Sequence, residues 1–307
     1  MTRRVPSVPL ALLTLSALVG LGGCATFTNV DRVASVNGTD IGRSEFEAMT
    51  VDYFAHPELF GTTPPADGRG SADNLRALLA IVTQARLLHE VADADQLADA
   101  KQAALEALPE GDPVLEMSPE MQNLYSDLAA RQTVLGGVAA PSSAELERRY
   151  VESPASAGVL CVRHILVDTE AEARQASRRL ADGEDFATLA AEVSLDTVTG
   201  ADGGAVPGSM GPCWTLGEAF QGLVPEFVHH ARALSGLAPS APFETQYGWH
   251  IVASLPWSEV GEAVAAIHAP GSTGDVQYVA ALFTADVEVD PAYGVWDSGT
   301  VEIVPIG

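Results

Sequence analysis

Two stretches decide how this 307-residue chain is read: Val162-Arg163-His164-Ile165-Leu166-Val167, and far downstream Thr245-Gln246-Tyr247-Gly248-Trp249-His250-Ile251-Val252. Both are rich in β-branched and aromatic residues and read as strands. In the first, alternation sends His164 and Leu166 to one face and Ile165 and Val167 to the other. Between the two, Thr169-x-x-Glu172 is a capping box that opens a helix ending near Gly183. Asp185 to Ser194 predicts a second helix, with Phe186, Leu189, Ala190 and Val193 along one side. A glycine-rich loop runs from Asp196 to Pro212, and Pro225-Glu226-Phe227 opens a third helix that ends by Gly236. The order is β-α-α-loop-α-β, with a further strand around the loop.

That order, with RHILV at 163–167, DGEDFATLAAEVS at 182–194 and TQYGWHIV at 245–252, resembles the parvulin family of peptidyl-prolyl isomerases. The resemblance covers residues 158–256. It implies a four-stranded antiparallel sheet packed against helices, with no cofactor and no metal. It also implies that His164 and His250 pair at the floor of the site, that Asp196 stands beside the substrate carbonyl, and that Thr245 hydrogen-bonds within the histidine network. Leu166, Leu223 and Phe227 are implied to wall a proline pocket, Phe227 beneath the ring. One departure stands out: the Gly-Gly-Asp-Leu-Gly that parvulins carry after the loop is missing. Either Gly203-Gly204-Ala205-Val206 or Gly208-Ser209-Met210-Gly211 must fill its role. The second keeps the Gly-x-apolar-Gly order, so it is preferred, and it adds Met210 to the pocket.

The residue types suit the chemistry. Rotation about a peptide C–N bond faces a barrier of roughly 18–20 kcal/mol because resonance is lost. It needs a dry grip on the proline and polar groups that favour the twisted amide, not a nucleophile. Competing motifs are weaker. His229-His230 are adjacent on a helix and face different ways, with no third ligand at suitable spacing. His89-Glu90 lacks the second histidine of a zinc-protease motif, and Ser209 lacks the glycine of a nucleophile elbow.

Outward from this unit, Ala34 to Ile41 is a hairpin signal around Asn37-Gly38. Ser44-x-x-Glu47 caps a helix bearing Phe46, Met49 and Tyr53. Gly61–Gly70 is a loop, and helices are expected over 74–94, 98–107, 119–135 and 143–151. ASVNGTDIGRSEFE, residues 34–47, resembles the opening of SurA-like and PrsA-like foldases. The implied fold class is α+β. A parvulin-like unit at 158–256 is inserted in a mostly helical SurA-like chaperone domain at 24–157. Segment 257–307 carries a helix over 259–268 and strands near 287–289 and 301–303, and these strands return to pair with the hairpin.

At the N-terminus, Arg3 and Arg4 precede the uncharged apolar run Val8–Val19, too short to span a bilayer comfortably, and then Leu21-Gly22-Gly23-Cys24. This ending resembles the bacterial lipobox, implying a signal peptide over 1–23 and a diacylglycerol on Cys24. Sixteen Lys and Arg against 41 Asp and Glu give a net charge of −25. Such a surface disfavours nucleic acid and anionic headgroups, so the lipid on Cys24 must hold the chain at the membrane. Cys161 and Cys213 remain, an even pair and a disulfide candidate in an oxidising compartment; the parvulin resemblance places them near adjacent strands. The implied function is a foldase lipid-anchored to the outer face of the cell membrane. It would isomerise Xaa-Pro bonds of newly exported, unfolded polypeptides; the alternative is a catalytically inert holdase.

Overall fold

The computed structural model describes residues 31–57, 59–60, 71–209 and 211–306, so residues 1–24 and Met210 lie outside the described residues. Asn37 and Gly38 both take positive φ, 47° and 82°, and turn β1 (Arg32–Val36) into antiparallel β2 (Thr39–Gly42). In α1 (Arg43–Ala55) the buried residues are Phe46, Met49 and Tyr53, at helical spacing. The next four helices each start at a side-chain cap: Ser71 for α2 (Ala72–Val91), Asp93 for α3 (Ala94–Glu106), Ser118 for α4 (Pro119–Gly137) and Ser142 for α5 (Ser143–Glu152). Each cap satisfies amides that the first turn leaves without partners. One core gathers β1, β2 and the inner faces of α1, α2 and α4, with Leu79, Leu87 and Met121 at its centre.

The middle of the chain runs β3 (Val159–Leu160), β4 (Val162–Val167), α6 (Glu170–Ala181), α7 (Phe186–Val193), α8 (Thr197–Ala201), β5 (Trp214–Thr215), α9 (Leu216–Gly222), α10 (Pro225–Arg232), β6 (Phe243–Thr245) and β7 (Gly248–Ser254). The strands β4, β7 and β6 form an antiparallel sheet in that order. Its register sets Leu166 opposite His250 and Phe243 opposite His250 as well. His164, Leu166, Phe243, Thr245 and His250 therefore share one face. The other face buries Ile165, Val167, Ile251 and Ala253 against α6 and α7 through Ala173, Phe186 and Leu189.

The outer edge of β4 is covered from both sides of α8. Leu195 N–H donates to the Leu166 carbonyl at 2.7 Å, and past α8 the His164 N–H donates to the Gly204 carbonyl at 2.7 Å. Val206 N–H then bonds the Val162 carbonyl at 3.0 Å, and Arg163 bridges Ala205. The fourth strand is thus present as a single bridge. This corrects the preferred register: 203–206 fills the missing motif's place, whereas Gly208 and Gly211 bond each other across their own turn. The reason is steric. Gly204 has φ +86°, and a Cβ there would lie 2.4 Å from the His164 carbonyl oxygen. The expected loop from Asp196 also contains α8, because the Asp196 side chain accepts from the amides of Val198 and Thr199. The extra length before Leu223 is β5 and α9, the helix opened by a capping box of Thr215 and Glu218.

Cys161 and Cys213 are bonded, their Cα atoms 4.1 Å apart. The strands that bring them together are β3 and β5, paired at Leu160 and Trp214, rather than the strand that bears His164. After β7 come α11 (Trp257–Ile267), α12 (Thr273–Thr284), β8 (Val287–Val289), β9 (Val295–Asp297) and β10 (Glu302–Val304). Of the two late strands expected to join the hairpin, β8 pairs with β1, whereas β10 pairs with β9 in a separate two-stranded sheet. The return is divided, however. Helix α11 packs its Val260, Val264 and Ile267 with Leu146 and Tyr150 of α5 and with the disulfide. Helix α12 reaches the N-terminal core through Tyr278, whose hydroxyl donates to the Gln84 carbonyl at 3.0 Å. No helix among the described residues is long and apolar enough to cross a membrane.

Gly204→Ala should cost about 2 kcal/mol more than Gly111→Ala. Gly111 shares the positive φ, +82°, but has open space around it, so only Gly204 adds a backbone clash to the left-handed penalty. Urea unfolding of the two variants decides this; equal costs would contradict the close approach to β4.

Candidate active site

The sheet register brings together two histidines 86 residues apart. The rings of His164 and His250 stack with centroids 5.5 Å apart, and their Nδ1 atoms lie 3.3 Å from each other. On the β6 side, Thr245 Oγ1 lies 2.9 Å from His250 Nε2 and also accepts the Tyr247 N–H at 3.1 Å. On the α8 side, His164 Nε2 is 2.9 Å from Thr199 Oγ1 and 3.2 Å from Asp196 Oδ2. Phe227 of α10 is buried and stands edge-on to both imidazoles, with centroids 5.8 and 5.6 Å away.

The partners fix where the protons sit. Partial burial pushes the Asp196 carboxyl up, but the amide and hydroxyl of Thr199 together with His164 outweigh it and hold it below its ordinary value. Asp196 is thus an anion that only accepts, so His164 Nε2 carries the hydrogen. Burial lowers His164 against the opposing pull of Asp196, leaving the ring neutral at pH 7. Its Nδ1 must then accept from His250 Nδ1–H. Burial first, and then the neighbouring His164, push His250 down to about 4, so it is neutral as well. His250 Nε2 therefore accepts the Thr245 hydroxyl, whose oxygen takes the Tyr247 N–H. Every hydrogen points from the β6–β7 turn toward Asp196.

A relay so filled has no free lone pair on either imidazole with which to remove a proton from a nucleophile. What it presents is an apolar floor of Phe227 and ring faces beside a fixed carboxylate, the Asp196 side chain being 30% accessible. His164, Asp196, Thr245, His250 and Phe227 converge on this point. Leu166 lies on the same face and is half-buried, while Leu223 is half-buried at the end of α9, packed against the cluster that holds Phe227.

Two residues of the site went unread in the sequence. Thr199 returns over its own cap one turn after Asp196, and the spacing Asp196-x-x-Thr199 was the available signal. Phe243 shares its face with Thr245 by alternation, and it stacks on His250 at 5.5 Å and on His230 at 3.9 Å. His230, read in the sequence only as a poor metal ligand, is therefore a ring partner of Phe243.

Residues 164–254 match the family described as Rotamase, the PPIC-type PPIASE domain. Among curated proteins, a "Foldase protein PrsA" of Caldanaerobacter subterraneus subsp. tengcongensis is 43% identical over 111 residues, covering 36% of this chain and 33% of that protein. A "Parvulin-like PPIase" of Rickettsia bellii is 33% identical over 144 residues, covering 46% of this chain and 49% of its own length. The chain thus spans a third to a half of the length of these relatives. The crystal structure of PrsA from Bacillus subtilis is similar at 17% identity with a TM-score of 0.29, covering 84% of this chain and 94% of that one.

Histidine ¹⁵N spectra should show His164 as the Nε2–H tautomer and His250 as the Nδ1–H tautomer at pH 7. His250 should remain neutral until pH nears 4. Because the unfolded histidine gains its proton near 6.5, stability should be full above that pH and fall as pH drops from 6.5 toward 4. A His250 that titrates near 6.5 contradicts the relay.

Proposed function

We propose that this chain, whose residues 164–254 carry a PPIC-type rotamase domain, is a peptidyl-prolyl cis-trans isomerase working as an extracytoplasmic foldase on unfolded, newly exported polypeptides. The observation that carries the reading is Phe227, set edge-on beneath a neutral histidine pair with an anionic Asp196 at the lip.

The geometry supports rotation without bond breaking. Phe227 offers the proline ring an apolar surface, and the buried imidazoles keep water from the amide. A planar amide concentrates negative charge on its carbonyl oxygen through resonance, whereas a twisted amide returns the electron pair to nitrogen. A fixed carboxylate near that oxygen therefore disfavours the planar ground state relative to the twisted one. The neutral relay holds Asp196 in place without moving a proton. The inert holdase, which the altered glycine-rich loop would suit, is not better supported, since that loop still closes onto β4 through Gly204–Val206.

The lipid on Cys24 belongs to the same proposal. It rests on the motif Leu21-Gly22-Gly23-Cys24, and the Cys161–Cys213 bridge suits the oxidising side of a membrane.

Uncatalysed Xaa-Pro exchange takes tens to hundreds of seconds, slow enough for a protease-coupled peptide assay to register acceleration. The folded parent should accelerate it with no added metal or nucleotide. Phe227→Ala should lower kcat/KM about tenfold, the loss expected when ring contact of about 1.4 kcal/mol is removed. In fractionated cells this activity should follow the membranes for the parent and leave them for Cys24→Ser. A folded parent with no turnover contradicts the isomerase, and a Cys24→Ser chain that stays on the membrane contradicts the anchor.

A further inference from the structure

The chain between the edge segment 203–206 and Leu223 contributes nothing to the histidine relay, yet it is fastened at several points. Its turn at Gly208–Gly211 folds back so closely that a Cβ at Gly208 would meet the Cys213 carbonyl oxygen at 2.2 Å. Cys213 is bonded to Cys161, the residue before β4, and beside it Trp214 pairs with Leu160. This fastening holds one large side chain in place, the half-buried indole of Trp214.

The indole reaches both walls of the proline pocket. With 203–206 in the place of the missing motif, Val206 takes the pocket position expected of Met210. Val206 and Leu223 both pack, half-buried, on the cluster that buries Phe227. Trp214 Nε1–H donates to the Val206 carbonyl at 3.1 Å. The far edge of the same ring lies across Gly222, the residue before Leu223. A Cβ at Gly222 would stand 2.7 Å from Cζ3 of the indole and 3.1 Å from Cη2. Gly222 has no left-handed φ to maintain, so the ring is what a side chain there would disturb. A hydrogen bond at one end and a close contact at the other make the indole a rigid spacer between the two walls.

We infer that Trp214 is a positioning residue that sets the width of the proline pocket and makes it selective for a five-membered ring over a larger one. It acts through Val206 and Leu223 rather than by touching the ring. That a proline enters this pocket rests on the isomerase reading; the spacing of the walls does not. A hydrophobic pocket with fixed walls discriminates about tenfold or more over one methylene, and a wall free to move loses that discrimination.

The test uses two peptides that differ by one methylene, Ala-Ala-Pro-Phe and the same peptide with pipecolic acid in place of proline. Binding to the full chain is read by ligand-observed NMR, and turnover by exchange between the cis and trans resonances of the same peptides. The parent should bind the proline peptide about tenfold tighter. Trp214→Phe removes the N–H donor and the far edge of the ring, and Gly222→Ala pushes the indole aside. Each should bring the affinity ratio toward one, whereas a merely structural loss weakens both peptides alike and leaves the ratio unchanged. In the double variant the shorter phenyl ring leaves room for the added methyl, so Gly222→Ala should lower the ratio no further. Equal affinities in the parent, a ratio that survives either single variant, or a further fall in the double variant overturns the spacer. Selective binding without turnover supports it and contradicts only the isomerase reading.

Discussion

The outer edge of β4 is the constraint on which the site depends. A strand edge left open exposes unpaired amides and carbonyls, and here two loop segments close it. Leu195 bonds at Leu166, and Gly204 and Val206 bond at His164 and Val162. The chain between those anchors is short, so Asp196 has little freedom, and its own side chain starts α8 by capping Val198 and Thr199. That single helical turn brings the Thr199 hydroxyl back over the cap, where it and Asp196 meet His164 Nε2. The carboxylate is thus aimed by backbone hydrogen bonds on β4, and His164 belongs to the same strand. Positions of imidazole, anion and sheet are not independent.

Electrostatics then decides the protonation. Asp196 favours a charged His164, but burial of the imidazole outweighs it, and His250 pays twice as a buried ring beside another. Two imidazolium ions 3.3 Å apart at Nδ1 would leave that contact with two donors and no acceptor. The neutral pair removes both problems and forces one direction on the hydrogens. The result is a rigid polar lip over an apolar floor, which is what a reaction that breaks no bond needs.

Much of this was legible in the residues. Strand alternation placed His164 with Leu166, three sequence blocks in order carried His250 and Thr245, and Pro225 announced the helix that presents Phe227. Choosing between Gly204 and Gly208 was beyond it. Both sit in glycine-rich runs, and the difference is a 2.4 Å approach to a carbonyl on a distant strand. The pairing of Cys161 with Cys213 was readable, but the pair of two-residue strands that aligns them is too short to leave a pattern. Helix α12 escaped because it is apolar on two sides, feeding Tyr278 into one core and Ala280 into another, so no polar stripe marks its period.

Those two cores also bind the unit around the β4-β7-β6 sheet to the rest of the chain. Phe220 of α9 stacks on Phe283 of α12 with centroids 3.7 Å apart, and Arg232, at the end of the helix bearing Phe227, bonds the Phe283 carbonyl. The floor of the site is therefore buttressed by the rest of the chain, and on the proposed reading it works as a preformed surface rather than one assembled by proton movement. The kinetic solvent isotope effect tests that claim most directly. With every hydrogen of the relay in place throughout the twist, kcat/KM for a proline peptide should be nearly the same in H₂O and D₂O. A rate well below its H₂O value in D₂O would place a proton in flight at the transition state and contradict the account.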